Sequence, residues 1–321
     1  MSTTHKITIL TPVFNEEDGL RQYFDQVRSV ILERPEAATD GLEFNILFIE
    51  DGSRDASWSI IQDICRQDAR FSGIRMSRNF GSHMALTAGF DQADGDAVCT
   101  LACDLQDPPQ TILEFVREWR LGARIVWGKR RTRQDAGWRM ATSRVFCELL
   151  RRFAMPRGSQ FTTGSFLLVD KSVVACLRRF REQNRITFAL VAWTGFDQAT
   201  VEYDRLERFA GKSGWTFARM IKTFYDAFIS FSTVPVKLIT YLGMFISLSS
   251  VLFLVYLIVN WLSGAALPGW TSTMFALACF FGLQFMVLGI IGEYLQRIHT
   301  ESLGRPLYFI SQTTGDRDQQ S

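Results

Sequence analysis

Short apolar runs alternate with amphipathic segments through the first part of the chain. The runs are typical of strands, and the segments between them place apolar residues at helical spacing. The predicted strands cover 7–14, 44–49, 72–77, 97–102 and 125–127, and the predicted helices cover 16–32, 81–93 and 109–120, with one more helix after Asp55. Strands that alternate with helices predict crossover units, and hence an α/β fold with a mostly parallel sheet flanked by helices.

The C-terminal part has a different pattern, because no charged residue occurs from Leu238 to Gly292. A turn-rich break at 263–269 divides this stretch into two segments of about 238–261 and 272–292, each long enough to cross ~30 Å of hydrocarbon as a helix. The sequence therefore predicts a C-terminal two-helix transmembrane hairpin. A buried core hairpin is the alternative, which two uncharged segments in tandem disfavour.

Positive charges flank this hairpin only at its outer ends. Lys237, Arg297 and Arg305 lie outside the two segments, and the loop between them contains no lysine or arginine. By the positive-inside rule, we expect an inner or plasma membrane protein with both termini and the large domain in the cytoplasm. Residues 215–225 place aromatic side chains on one face, which predicts either an interfacial amphipathic helix or a core helix.

The composition excludes several classes of protein. With 35 Lys and Arg residues against 33 Asp and Glu, the chain lacks the positive charge of a general nucleic-acid-binding protein. Cysteines are scattered without a Cys-x-x-Cys pair, which indicates buried thiols in a reducing compartment, and the isolated histidines offer no zinc site. Glycine-rich phosphate fingerprints are absent, which argues against NAD-dependent enzymes and P-loop NTPases.

The most informative segment is 104–109, which follows the predicted strand 97–102 directly. Ligands bind at the carboxyl ends of strands in α/β sheets. Asp104 and Gln106 offer a carboxylate and an amide two residues apart, and both can face a hard cation that already holds a diphosphate. Asp107 precedes two prolines and is better explained as the N-cap of the following helix.

Polar residues also follow the first two predicted strands. Asn15-Glu16-Glu17 follow one strand and Asp51-Gly52-Ser53 the other. Each group alone could be a helix start or a turn. Their recurrence at one edge of one sheet favours a nucleotide-diphosphate site.

A basic stretch at 129–152 is the second candidate for ligand binding. Its eight lysine and arginine residues face only Asp135 and Glu148 in the same window. A solvated cationic face is one interpretation. Binding of anionic membrane lipid or of a phosphorylated substrate is the other, and the predicted tether to lipid favours it.

Six short motifs follow one another along the chain. They are Thr11-Pro12-Val13-Phe14-Asn15-Glu16-Glu17, Glu50-Asp51-Gly52-Ser53-Arg54-Asp55, Ser77-Arg78-Asn79-Phe80-Gly81, Ala85-Leu86-Thr87-Ala88-Gly89, Asp104-Leu105-Gln106-Asp107-Pro108-Pro109 and Arg208-Phe209-Ala210-Gly211-Lys212-Ser213. Together these motifs resemble the polyprenyl-phosphate glycosyltransferases of glycosyltransferase family 2, the group with dolichol-phosphate mannose synthases and bacterial bactoprenol glucosyltransferases. The resemblance covers nearly the whole chain, and the motifs are specific only as an ordered set.

This resemblance implies a GT-A fold, a nucleotide-sugar donor such as a UDP-sugar, an undecaprenyl or other polyprenyl phosphate acceptor, Mg²⁺ or Mn²⁺, and a homo-oligomer such as a tetramer. The implied base and nucleoside contacts are Pro12, Phe14, Glu16 and Asp51, and the implied metal and diphosphate ligands are Asp104 and Gln106. The implied donor-phosphate residues are Arg208 and Lys212, and the implied acceptor-phosphate residues are Arg130, Arg139 and Ser143.

Two departures from the family pattern bear on these roles. The family usually has an acidic residue two positions before Asp104, where this chain has Ala102. The metal would then have Asp104, Gln106, the diphosphate and water as ligands. Gly214 stands where the family often has a lysine, and we expect Lys212 to substitute for it.

The predicted organisation is a cytosolic catalytic domain at 1–212, an interfacial helix at 213–233, two transmembrane helices within 234–296 and a cytosolic tail at 297–321. The predicted reaction is inverting transfer of one sugar to a polyprenyl phosphate at the cytosolic membrane face. No general base is required, because a phosphate monoester is already anionic near neutral pH. The absence of a Q-x-x-R-W motif disfavours a polysaccharide synthase, and a non-catalytic, membrane-tethered binding protein is the alternative that Ala102 leaves open.

Overall fold

The computed structural model describes residues 4–33, 41–131, 165–183, 185–206, 234–263 and 269–314. The chain divides into two compact units. One contains Met1–Phe228 together with Pro306–Ser321, and the other contains Ile229–Arg305. The C-terminal residues therefore belong to the same unit as the N-terminal sheet, and the predicted domain boundaries stay predictions.

The first unit alternates strands and helices as predicted. Its strands are β1 (His5–Val13), β2 (Leu42–Glu50), β3 (Phe71–Met76), β4 (Ala97–Thr100), β5 (Ile125–Arg130), β6 (Leu167–Asp170), β7 (Gln198–Tyr203) and β8 (Ile310–Thr313). Its helices are α1 (Leu20–Val27), which continues as a π-helical turn (Arg28–Leu32), α2 (Ser57–Gln67), α3 (Ser82–Gln92), α4 (Thr111–Arg120), α5 (Lys171–Leu177) and α6 (Thr187–Trp193).

Within the described residues, the strands form one sheet in the order β7-β5-β6-β4-β1-β2-β3-β8. β1 pairs in parallel with β2 and β4, β2 with β3, and β5 with β7. β6 runs antiparallel to β4 and β5, and β8 runs antiparallel to β3. The prediction of an α/β fold with a mostly parallel sheet is confirmed.

Burial on both faces explains why the central strands are nearly continuous apolar runs. Ile7 and Ile9 of β1 and Ile46 of β2 are 0% exposed. α1 packs into the same hydrophobic core with residues that its helical period brings to one face. These residues are Leu20, Tyr23, Phe24 and Val27.

Two parts of the first unit differ from the sequence prediction. The first helix was expected from residue 16, but α1 begins at Leu20, because the preceding residues bond to a neighbouring loop. The last strand, β8, lies in the predicted tail. Gly73 N donates to Thr314 Oγ1 at 2.6 Å, and Thr314 N donates to Gly73 O at 2.8 Å. β8 thus gives β3 an antiparallel partner and covers an otherwise open sheet edge.

The second unit contains two long helices, α7 (Val234–Leu262) and α8 (Trp270–Ser302). Large apolar side chains on both are exposed, including Tyr241 (67%), Leu252 (64%) and Phe285 (70%). Among the residues that the structure describes, however, no helix is long and apolar enough to cross a membrane. The predicted transmembrane hairpin is therefore not confirmed, and the predicted interfacial helix at 213–233 lies outside the described residues.

Candidate active site

The carboxyl ends of β1, β2 and β4 meet at one edge of the sheet, as the sequence predicted. The parallel register places Val13 opposite Glu50. Leu101, just after β4, donates its amide to Leu10 O at 2.9 Å. The loops that follow these three strands therefore lie at the same edge, where ligands bind in sheets of this kind.

The loops after β1 and β2 hold each other through hydrogen bonds between main-chain amides and side-chain oxygens. Asn15 N donates to Ser53 Oγ at 3.0 Å, and Asn15 Oδ1 accepts from Arg54 N at 3.0 Å. Glu17 Oε2 accepts from Ala56 N at 2.8 Å. Asn15 adopts φ = 53°, a left-handed conformation that asparagine tolerates better than most residues. These contacts explain why Asn15 and Glu17 do not begin a helix.

The three residues predicted to line the base lie at the end of β1 and in its loop. Pro12 and Glu16 are half-buried, and Phe14 is 44% exposed. Glu16 N donates to Ser57 Oγ at 3.0 Å, which fixes the main chain beside the side chain of Phe14. An accessible aromatic ring on a fixed loop offers a face on which a base can stack.

Asp51 is a buried carboxylate at the end of β2. It is 3% exposed, and its oxygens accept from Phe80 N at 2.7 Å and from Gly81 N at 2.9 Å. Burial raises the pKa of this carboxyl. Asp51 therefore fixes the loop after β3 against the end of β2, and its predicted role beside the nucleoside stays a prediction.

Gly52 allows the loop after β3 to come close enough to bond with Asp51. It adopts φ = 69°, and a Cβ atom there would lie 2.4 Å from Arg78 C and 2.5 Å from Asn79 N. Main-chain atoms cannot move away as the end of a flexible side chain can. The loop after β3 can therefore reach Asp51 only because residue 52 has no side chain.

The C-terminal segment also contacts the loop after β3. Ser77 N donates to Phe309 O at 2.9 Å. The ring centroids of Phe80 and Phe309 are 6.4 Å apart, and the Arg78 guanidinium lies 4.0 Å from the Phe80 centroid. Residues that sequence analysis left as a tail therefore support the loop that Asp51 binds. Sequence gives little signal for this contact, because β8 is short.

The loop after β4 carries the predicted metal ligands on one side. Burial alternates along residues 101–107, so that Ala102, Asp104 and Gln106 share the more accessible side. Leu105 between the last two is 5% exposed and adopts φ = 54°. Asp104 Oδ1 accepts from Gln106 N at 3.2 Å. The predicted ligands thus lie on the accessible side of a turn, with a buried leucine between them.

Gln106 also binds the end of β7. Its Oε1 accepts from Arg205 Nη2, and its main-chain oxygen accepts from Leu206 N at 2.9 Å. Arg205 therefore places a guanidinium at the loop predicted to bind a diphosphate. Sequence analysis did not single out Arg205, and the only signal was its place beside the motif that begins at Arg208.

Asp107 does not cap the following helix, contrary to the sequence prediction. α4 begins at Thr111 with Gln110 as its N-cap, since the two prolines lie before the helix and not in its first turn. Asp107 is 2% exposed, and its Oδ1 accepts from Tyr203 Oη at 2.5 Å. Arg130 Nε donates to the same hydroxyl at 3.3 Å, and Arg130 Nη2 is 3.9 Å from Asp107 Oδ1.

In this group of three side chains, named here the Asp107–Tyr203–Arg130 cluster, two pKa values are raised. Burial raises the pKa of Asp107. Burial first, and the neighbouring carboxylate second, raise the pKa of Tyr203. The phenol therefore keeps its proton and donates it to Asp107.

The described oxygen donors can be tested against a metal site. Among the described residues, no group of three or more His, Cys, Asp or Glu side chains is placed to hold a metal ion. Asp104 and Gln106 supply one carboxylate and one amide. Such a set fits Mg²⁺ or Mn²⁺ that takes its other ligands from a diphosphate and water, because Mg²⁺ is commonly bound by one or two carboxylates plus substrate phosphates.

His83, at the start of α3, has the properties of a structural histidine. Its Nδ1 accepts from Thr187 N at 3.3 Å. Burial first, and the charge of Arg185 second, lower its pKa to about 4. At neutral pH this histidine is therefore uncharged, with one ring nitrogen already bonded.

The structure brings the described candidates to one edge of the sheet. These are Pro12, Phe14, Glu16, Asp51, Asp104, Gln106 and Arg130. The other four candidates, Arg139, Ser143, Arg208 and Lys212, lie outside the described residues, and their roles stay predictions.

Comparison with known proteins identifies the family. Residues 8–178 match the family model described as "Glycosyl transferase family 2". The chain belongs to glycosyltransferase family 2. It is 36% identical over 314 residues to an uncharacterized glycosyltransferase of Synechocystis, covering 97% of this chain and 96% of the relative. It is 34% identical over 307 residues to the bactoprenol glucosyl transferase of Shigella phage SfV, covering 95% of this chain and 98% of the relative.

These relatives show the group within the family. The protein is a glycosyltransferase of the polyprenyl-phosphate group, with a GT-A-like α/β fold, and the non-catalytic alternative is not retained. Among solved structures, a mannosyltransferase of Pyrobaculum calidifontis in complex with GDP-Man and Mn²⁺ is similar over 94% of this chain and 88% of its own. Its sequence identity is 17% and its TM-score 0.49.

Proposed function

We propose that this glycosyltransferase moves one hexose-type sugar from a nucleoside diphosphate, expected to be UDP, to a polyprenyl phosphate such as undecaprenyl phosphate, with inversion. The observation that carries the proposal is the contact between the loop after β4 and Arg130, made through Asp107 and Tyr203. It brings the predicted diphosphate ligands and the predicted acceptor-phosphate arginine together. Relatives named bactoprenol glucosyl transferases, similar over 98% of their length, support the choice of acceptor.

The proposed chemistry needs no general base. An oxygen of the acceptor phosphate attacks the anomeric carbon from the face opposite the diphosphate. The bond from that carbon to the diphosphate oxygen breaks, and the nucleoside diphosphate leaves with the electron pair. The phosphate monoester is already anionic near neutral pH, which agrees with the bonded, uncharged state of His83.

Side chains at the sheet edge then have two tasks. Arg130 holds the acceptor phosphate in line for attack. Arg205, with Arg208 as a further candidate, stabilises the negative charge that develops on the departing diphosphate. Asp104 and Gln106 would hold Mg²⁺ or Mn²⁺, which supplies additional positive charge at that diphosphate.

Location at the cytosolic face of the inner or plasma membrane, as a multi-pass protein with both termini cytoplasmic, is part of the same proposal. The uncharged sequence from Leu238 to Gly292 and the exposed apolar side chains of α7 and α8 support it. The proposed acceptor is itself a membrane lipid. Assembly into a homo-oligomer, which the family resemblance implies, belongs to this proposal too.

Transfer itself is tested with the full-length protein in detergent. Polyprenyl phosphate, Mg²⁺ or Mn²⁺ and a panel of labelled nucleotide sugars are mixed with the enzyme, and label is counted in the organic extract. We expect label from one donor, which is lost on addition of a chelator. Label that appears only in water-soluble products with every donor would contradict the proposed acceptor.

A further inference from the structure

We propose that Tyr203 is a positioning residue that anchors Arg130 on Asp107 and so aims its guanidinium at the acceptor phosphate. The inference rests on the proposed function, because it concerns the arginine assigned to that phosphate. Tyr203 itself touches neither substrate in this scheme. Its contribution is to hold one side chain that does.

Hydrogen-bond geometry explains why a tyrosine is needed at this position. Arg130 Nη2 lies 3.9 Å from Asp107 Oδ1, which is beyond hydrogen-bond distance. The Tyr203 hydroxyl fills the gap, because it donates to Asp107 at 2.5 Å and accepts from Arg130 Nε at 3.3 Å. A phenol has one proton and acceptor lone pairs, so it can satisfy both neighbours at once.

The same contacts leave one side of the guanidinium for a ligand. Tyr203 engages the Nε atom of Arg130, and the Arg130 side chain is 22% exposed. The terminal nitrogens form the fork with which arginine binds phosphate through two parallel hydrogen bonds. An arginine fixed at Nε presents that fork in one direction, so less side-chain freedom is lost when phosphate binds.

The tyrosine ring is itself held rigidly. Tyr203 is 4% exposed and pairs with Arg130 in the parallel register of β5 and β7. Its ring meets Phe166 edge to face, with centroids 5.4 Å apart. A Cβ atom at Gly128 would lie 2.9 Å from Tyr203 Cε1. The Tyr203 ring therefore packs against main-chain and side-chain atoms, which fixes its hydroxyl in place.

The test is Tyr203→Phe in the full-length enzyme, with initial rates measured at varied polyprenyl phosphate and at varied donor. We expect the KM for polyprenyl phosphate to rise about tenfold, which corresponds to about 1.4 kcal/mol of binding. The KM for the donor should change less than about twofold, since it does not depend on the Nε contact, whereas kcat should fall as the acceptor phosphate loses its alignment. A general loss of structure would change all three quantities.

Tyr308→Phe is the matched control, because Tyr308 Oη also donates to a carboxylate, that of the half-buried Asp91, at 2.8 Å. It removes the same kind of bond without touching Arg130, so the KM for polyprenyl phosphate should stay as in the wild type. Melting temperatures of both variants show whether each is folded.

A double-mutant cycle with Arg130→Ala tests whether Tyr203 acts through Arg130. Tyr203→Phe should have no further effect on the KM for polyprenyl phosphate once Arg130 is absent, because coupled residues are not additive. Equal effects of Tyr203→Phe in both backgrounds, or an unchanged KM in the single variant, would overturn the inference while wild-type transfer still supported the proposed function. A wild-type enzyme that labels no lipid would instead refute the proposed function itself.

Discussion

The loops after β1 and β2 and the Asp107–Tyr203–Arg130 cluster share one sheet edge but are held together in different ways. In the loops, main-chain amides donate to side-chain oxygens, as Arg54 N does to Asn15. In the cluster, three side chains bond one another across 73 and 96 residues of sequence. The first arrangement uses donors that nearly every residue supplies. The second depends on the identity of all three side chains.

This difference has a consequence for substitution. A loop fixed by main-chain donors is most sensitive where the main chain must pass closely, as at Gly52. A cluster fixed by side chains is most sensitive to the loss of one functional group, because the buried partner then stays unsatisfied. Substitutions that disturb the loops should therefore change donor binding, and substitutions in the cluster should change acceptor binding.

The largest effect is expected for Asp104→Asn. The substitution removes the one described carboxylate of the predicted metal and diphosphate site, and we expect transfer to fall by about 100-fold or more. Labelled sugar in the organic extract measures it. Asp94→Asn, just before β4, is the control and should retain wild-type transfer. Near-normal turnover by Asp104→Asn would remove Asp104 from the site.

Gly52→Ala should disrupt donor binding, because it adds a side chain where the main chain of the loop after β3 passes closest to residue 52. A Cβ atom 2.4 Å from Arg78 C forces the loop after β3 away from Asp51. We expect the free energy of unfolding to fall by about 2–4 kcal/mol, and nucleotide affinity to fall at least about tenfold. Chemical denaturation and calorimetric titration with the nucleoside diphosphate measure the two effects.

Gly195→Ala is the matched control for that experiment. Gly195 adopts φ = 73°, close to the 69° of Gly52, but a Cβ atom there would meet nothing within 4 Å. It should cost about 1 kcal/mol through backbone strain alone and leave nucleotide affinity unchanged. Equal losses of affinity in the two variants would show that the close approach at Gly52 is not what supports the donor site.

A smaller effect is expected for Phe309→Ala, which removes the ring beside Phe80. Because an aromatic pair contributes about 0.5–1.5 kcal/mol, we expect the KM for the nucleotide sugar to rise about two- to tenfold with the KM for polyprenyl phosphate unchanged. Ser311→Ala, which removes a β8 hydroxyl that donates to Arg75 O of β3, should leave both constants unchanged. A rise in the acceptor KM alone would show that the contact between Phe309 and Phe80 supports acceptor binding and not donor binding.

The smallest effect on transfer is expected for His83→Gln, because neither the loops after β1 and β2 nor the Asp107–Tyr203–Arg130 cluster requires this ring. Turnover at neutral pH should stay within about twofold of wild type, since the phosphate acceptor is already anionic. Loss of turnover together with an intact fold would show that a histidine takes part in the reaction.

The same variant has a larger effect on the pH dependence of stability. The pKa of His83 is lowered from 6.5 to about 4 in the folded protein. The contribution of the neutral His83 ring to stability is therefore complete above pH 6.5 and is lost as the pH falls towards 4, by about 3 kcal/mol. His83→Gln should flatten the fall in unfolding free energy over that range, and denaturation at several pH values measures it. An unchanged slope would contradict the lowered pKa.

The sequence by itself determined the α/β class and the edge at which the site lies. Apolar runs and helical spacing are local properties, so they placed the strands that end at Val13, Glu50 and Thr100 to within a few residues. Short motifs at those strand ends then identified the Asp104 and Gln106 loop. Local patterns could not decide what Asp107 binds, and a cap next to prolines was the natural but wrong interpretation.

Tertiary structure alone decided the contacts that join distant parts of the chain. Tyr203 reaches Asp107, Arg205 reaches Gln106, and Thr314 reaches Gly73 across 96, 99 and 241 residues. Such pairs depend on strand order and register, which bring β7 beside β5 and β8 beside β3. Periodicity encodes which residues of a strand face the core. It does not encode which other strand lies next to it, because that choice follows from the packing of the whole sheet.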